Sequence, residues 1–219
     1  MKNLQKLGGL AALYLAVAYL VGIVLFLVVL DYPSITDPAQ KVALLVEKQI
    51  VIFATNLLMY VFFGVILVVL SLALYDRSKT GAPALTQVAT VIGLIWAGSL
   101  VASGMISNAG ITPVLTLYAE DPAQAALTWL GIEIVASGIG NGNGEILGGL
   151  WTLLVSWAAL RTEGLPKVLN FLGLLVGVVG ILTILPGLMD LTGLFGIGQL
   201  LWFIWLGIVL LRSNSRQVA

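Results

Sequence analysis

The stretch LGGLAALYLAVAYLVGIVLFLVVL, Leu7 to Leu30, decides the fold class. It runs 24 residues without a charge and is closed by Asp31-Tyr32-Pro33. A membrane-crossing helix needs about 20 mostly apolar residues, whereas the apolar core of a signal peptide has only about 7–15. Lys2 and Lys6 give the segment a basic start, but no small-residue cleavage site follows it. It reads as a retained spanning helix.

Five further segments extend the pattern, giving spans at about 7–30, 50–74, 84–106, 141–160, 168–189 and 194–211. Each has a recognisable stop. Tyr75-Asp76-Arg77 closes the second, Ser107-Asn108-Ala109-Gly110 loosens the third, Arg161 follows the fourth, Pro186 falls near the end of the fifth, and Arg212 follows the sixth. The expected fold is therefore all-α, a polytopic bundle of six transmembrane helices in a single domain over residues 1–219.

Composition agrees with this reading and excludes the main alternatives. Of 219 residues, 60% are hydrophobic and 9% charged, against roughly a quarter charged in an average soluble domain. Ten cations and ten anions are too few to cover a soluble surface, and intrinsic disorder needs low hydrophobicity. No basic excess supports nucleic-acid binding. Histidine and cysteine are both absent, so zinc sites built from those ligands, haem on a histidine or thiolate, and disulfides are all excluded. No cofactor is expected.

The connections give an orientation. Lys2, Lys6, Arg77, Lys79, Arg161, Lys167, Arg212 and Arg216 all fall on one side of six spans. By the positive-inside rule that side is cytoplasmic, and both termini lie there. The opposite side receives Asp31, Asp37, Glu47, Glu120, Asp121, Glu133 and Asp190 with only Lys41 and Lys48. A multi-pass protein of the bacterial inner membrane is the expected location.

The two long outer connections echo one another. Asp37-Pro38-Ala39-Gln40 recurs as Asp121-Pro122-Ala123-Gln124, 84 residues on. Aspartate as N-cap with proline at the first helical position is a helix start, so each outer connection should open a helix that runs down into the next span. At the same offset Gln49 meets Glu133, Ile50-Val51 meets Ile134-Val135, Gly64 meets Gly148 and Arg77 meets Arg161. The echo reads either as a parallel repeat or as shared capping needs in a low-complexity composition.

Small residues recur at four-residue spacing: Gly93/Ala97, Gly98/Ala102, Ser99/Ser103, Gly140/Gly144/Gly148 and Gly173/Gly177. In lipid these are faces where helix backbones approach closely. Trp129 and Trp157 fit anchors at the two membrane interfaces, while Trp151, Trp202 and Trp205 lie deeper, where core packing outweighs a ligand-stacking role.

Polar groups at membrane depth supply the candidate site. The segment Ser137-Gly138-Ile139-Gly140-Asn141-Gly142-Asn143-Gly144-Glu145 lacks the strand and lysine of a phosphate loop and reads as a weak, kinked or unwound piece of helix. Counting back from Arg161 puts Glu145 roughly 24 Å above the cytoplasmic edge of a core about 30 Å thick. Were the helix continuous, Glu133, Ser137, Asn141, Glu145, Gly149, Thr152 and Ser156 would form one polar or small stripe. Asn56, Asn108 and Gln199 reach similar depth from other helices. Together Asn56, Asn108, Asn141, Asn143, Glu145 and Gln199 outline an outward-facing polar vestibule, with interhelical hydrogen bonding as the competing role for the amides. Glu145 has no obvious basic partner at its depth.

Specific motifs carry a family resemblance. Gly148-Gly149-Leu150-Trp151, the run Arg161-Thr162-Glu163-Gly164-Leu165-Pro166 leading into Leu169-Asn170-Phe171-Leu172-Gly173, and Trp202-Phe203-Ile204-Trp205-Leu206-Gly207 before Leu211-Arg212 resemble the bacterial membrane family called domain of unknown function 4386. Gly8-Gly9-Leu10-Ala11-Ala12-Leu13-Tyr14 fits it as well. The resemblance implies six helices and a plasma-membrane location, and brings no catalytic residue or substrate.

The leading functional expectation is a binding or accessory protein whose outer pocket takes a lipid-like or small ligand, or a partner's helix. Homo-oligomerisation is compatible with the small-residue faces. The alternative is a small transporter or permease, proton-coupled through Glu145. An intramembrane enzyme ranks third, because one acid without histidine or cysteine is poor acid–base machinery.

Overall fold

The computed structural model describes residues 2–140 and 145–212, and no strand occurs among them. Helix α1 (Lys2–Ile23) continues as a π-helical stretch, Val24–Val29, to a short 3-10 turn at Tyr32–Ser34. Helix α2 (Pro38–Asn56) passes through a second π-helical stretch, Leu57–Phe62, into α3 (Phe63–Ser78). Then follow α4 (Pro83–Glu120), α5 (Pro122–Ile139), α6 (Ile146–Thr162), α7 (Lys167–Leu182) and α8 (Leu191–Arg212). Four helical runs are long and apolar enough to cross a membrane: Asn3–Val29, Pro38–Ser78, Pro83–Glu120 and Leu191–Arg212. α6 and α7 are shorter apolar helices.

Helix starts follow the sequence. Asp37 accepts a hydrogen bond from the Ala39 amide at 3.0 Å, and Asp121 accepts one from Gln124 at 3.0 Å, each with proline next in line. Both outer connections therefore open helices, as the paired tetrapeptides require.

Close glycine contacts fix the arrangement of the bundle. A Cβ at Gly9 would meet Leu211 Cγ at 2.7 Å, and one at Gly207 would meet Leu13 Cγ at 2.7 Å, so α1 and α8 run antiparallel. Gln5 at the start of α1 donates to the Ala73 carbonyl at 3.1 Å and accepts from Arg77 Nη1 at 3.1 Å. The start of α1, the end of α3 and the end of α8 thus share one end of the bundle, here called the basic end. Gly149 presses its backbone on α7, where a Cβ would sit 2.8 Å from the Gly177 carbonyl oxygen. Most of the expected small-residue faces are packing faces. Gly98 departs from this, since a Cβ there would meet nothing within 4 Å.

The bundle core is aromatic. Tyr19, Phe63, Trp96, Trp151, Trp202 and Phe203 come from five helices and join through ring centroids 5.6–6.2 Å apart. The rings meet tilted or edge to face, the arrangement their quadrupoles favour. Trp151, Trp202 and Phe203 are fully buried. Apolar side chains outside the core, such as Val65, Val168 and Leu175, are more than half exposed. That is the expected outer face of a bundle in lipid.

A second, smaller core lies beyond the first. The 41-residue run Pro38–Ser78, kinked at Lys48 (φ −115°, ψ 24°), and the 38-residue α4, about 57 Å long, are each much longer than a ~30 Å hydrocarbon core requires. Their far halves pack with α5 around Val42, Leu45, Ile52, Ile111, Val114 and Trp129.

Four sequence expectations change here. α4 does not loosen near Ile106 but continues through Ser107-Asn108-Ala109-Gly110 and Pro113. The reason is tertiary: Gly110 lies against Ile132 of α5, and Asn108 hydrogen-bonds to α2. The fifth helix ends at Leu182 rather than near Met189, where the Thr183 hydroxyl donates to the Gly180 carbonyl at 2.7 Å. Trp129 is not an interfacial anchor. It is buried in the second core and its indole N–H donates to Tyr32 at 3.1 Å. The long polar stripe is interrupted too, because α5 ends at Ile139, Gly140 is non-helical (φ −82°, ψ −107°), and α6 begins only at Ile146.

Candidate functional site

Glu145 occupies the turn that leads into α6. Its amide donates to the Thr183 hydroxyl at 2.7 Å, and its carbonyl accepts from Gly149 at 2.7 Å, so the α6 start is tied to the end of α7. The residue is 7% exposed, and among the described residues its Oε2 has no hydrogen-bond partner and no cation pairs with it. The phenols of Tyr19 on α1 and Tyr60 in the π-helical stretch lie within electrostatic range of the carboxyl. A buried, unmatched oxygen of this kind is costly unless something satisfies it.

Three of the other expected site residues have hydrogen-bond partners of their own. Asn56 donates through Nδ2 to Asn108 Oδ1 at 2.9 Å, and Asn108 donates to the Phe53 carbonyl at 3.2 Å. These two amides brace α2 against α4. Gln199 is fully buried on α8 and accepts from the Thr152 hydroxyl at 3.0 Å, leaving Nε2 without a partner. Thr152 is seven residues beyond Glu145, about 10 Å further toward the basic end. Asn141 and Asn143 lie outside the described residues. The structure thus brings Asn56 to Asn108 and Gln199 to Thr152, with Glu145 in a third position.

Glu133, once the start of the polar stripe, has other partners. It forms an ion pair with Lys41 at 3.1 Å and accepts a short hydrogen bond from the Tyr32 hydroxyl. Lys41 also lies 5.0 Å from the Tyr32 ring centre. Burial, then the hydrogen bond to Glu133, holds the Tyr32 phenol above its ordinary range. This cluster ties the 3-10 turn and α2 to α5. It leaves Glu133 unavailable as a second acid for Glu145.

Sequence reasoning missed a cavity of about 710 Å³ at the basic end, with Arg77, Lys167 and Arg212 on its wall. Those three residues entered the sequence reading as helix stops and orientation charges, not as a site. They sit on three separate connections, and nothing in their spacing places them together.

Exposed apolar side chains and four helical runs of membrane-crossing length and composition define an integral membrane protein of the helical class. The family described as Domain of unknown function (DUF4386) matches residues 9–209, and the chain belongs to it. No curated protein and no solved structure matches the chain.

Proposed function

We propose that this chain is a six-span protein of the bacterial inner membrane, basic end in the cytoplasm, that binds a ligand or partner at Glu145 and does not conduct. The observation that carries the reading is the buried Oε2 of Glu145, without a hydrogen-bond partner among the described residues. Such a group suits a hydrogen-bond donor or cation presented by a lipid-like molecule, a small polar ligand or a partner's helix. Toward the basic end from Glu145 the six-ring aromatic cluster fills the bundle, which favours binding over passage.

Glu145→Gln should change what co-purifies with the protein or how readily it is released, as read by native mass spectrometry, while the fold persists. Identical species and identical release in both forms would defeat the reading. Solute flux into proteoliposomes that disappears in Glu145→Gln would replace binding by transport. Orientation is testable because the chain has no cysteine. Glu120→Cys should react with an impermeant maleimide on intact cells and Thr80→Cys should not.

A further inference from the structure

The cavity at the basic end has the chemistry of an anion site with an apolar side. It opens among the end of α3, the α6–α7 turn, the start of α7 and the end of α8. Arg77, Lys167 and Arg212 line it, against one acid, Glu163. The ion pairs among the described residues are Lys41–Glu133, Lys48–Glu47 and Lys79–Asp76, so none of these three cations is neutralised by a carboxylate. Arg77 is held in place by donating through Nε to the Gly164 carbonyl at 2.6 Å and through Nη1 to Gln5. A guanidinium fixed this way keeps its remaining donors for a ligand.

Two further features point into the same space. α7 begins at Lys167 with no side-chain cap, and the first turn of a 16-residue helix offers amide donors to an anion. Asn170, also on the wall, is fully buried, donates through Nδ2 to the Leu165 carbonyl at 3.2 Å, and leaves Oδ1 without a partner. An acceptor in that position suits a hydroxyl on the ligand. The opposite wall is apolar, with Trp205 and Ile208 each 37% exposed on the outer face of α8.

We propose that this cavity binds the headgroup of an anionic phospholipid that carries a phosphate and a free hydroxyl, of the phosphatidylglycerol type. The phosphate lies among Arg77, Lys167 and Arg212, the headgroup hydroxyl donates to Asn170, and an acyl chain follows Trp205 and Ile208. Basic pockets between spanning helices are suited to such headgroups. The site is at the opposite end of the bundle from Glu145 and stands or falls separately.

The test uses the full chain in neutral detergent, titrated with short-chain phosphatidylglycerol and followed by native mass spectrometry. Phosphatidylcholine of the same chain length and inorganic phosphate are the comparison ligands. The double variant Lys167→Gln with Arg212→Gln should weaken phosphatidylglycerol binding about thirtyfold, the effect of two cations near a phosphate. Arg161→Gln removes a cation of the same end that stacks over Trp157 and does not line the cavity, and should leave binding unchanged. Equal binding of phosphatidylcholine overturns the proposal. So does an Arg161→Gln loss as large as that of the double variant, which would mean diffuse attraction. Inorganic phosphate binding as tightly as the lipid would assign the site to a free anion instead.

Discussion

Asp37 to Arg77 and Asp121 to Arg161 share a register 84 residues apart, and they fold differently. Both start with a capping aspartate and a proline. Gly64 and Gly148 both press on α4, where a Cβ would sit 2.5 Å from the Ala97 carbonyl oxygen and 2.9 Å from Trp96 respectively. Leu57–Phe62 is π-helical and joins α2 to α3, whereas α5 ends at Ile139 and α6 begins at Ile146. In the first stretch the residues are Leu-Leu-Met-Tyr-Val-Phe, and the chain stays helical through them from α2 into α3. In the second they are Asn-Gly-Asn-Gly-Glu-Ile, with little helix propensity. The only acid in that register, Glu145, faces Val61 in the alignment. Starts and small-residue contacts are thus kept in common, and Glu145 sits where the sequences of the two stretches diverge.

The largest expected effect tests which of the two stretches carries the core. Trp151→Ala should destabilise the protein by about 3–5 kcal/mol, more than Leu67→Ala at the matching position, because it removes a ring from the centre of the cluster. Reversible unfolding in mixed micelles measures both, and a larger loss for Leu67→Ala would reverse the assignment. Next in size is Gly149→Ala, which drives a methyl into the α7 backbone and should cost about 1–3 kcal/mol. Its counterpart Val65 faces outward, so Val65→Ala should change the same unfolding midpoint little. Asp37→Ala and Asp121→Ala should each lose about 1 kcal/mol, with faster amide exchange in the first turns of α2 and α5. Unequal losses would show that the two caps are not equivalent. The smallest effect belongs to Asn56→Ala, about 0.6 kcal/mol for one interhelical hydrogen bond. Its counterpart is Gly140, so this brace has no equivalent in the second stretch, and the same unfolding assay measures the loss.

Much of this was legible in the chain because it rests on local rules. Length and hydropathy mark apolar helices, an aspartate before a proline marks their starts, and glycines four apart mark close packing. Features that depend on distant partners were hidden. Trp129 reads as an interfacial residue until Tyr32, 97 residues away, supplies its acceptor. Ser107-Asn108-Ala109-Gly110 reads as a helix end until α2 and α5 pack on it. For the candidate site, Glu145 could be singled out as a lone acid at depth, but Asn56 and Gln199 could not be separated from it without knowing which helices adjoin.

The sequence by itself determined an all-helical membrane chain, the places where its helices begin and the sorting of its charges, since each follows from composition and spacing along one strand of residues. Only the tertiary structure decided which helices run past the bundle to form a second core, which amides are used up as braces, and which oxygen is left over at Glu145. It also gathered Arg77, Lys167 and Arg212 around one cavity. Burial and hydrogen-bond satisfaction belong to pairs of surfaces, and pairing is settled only when the helices pack.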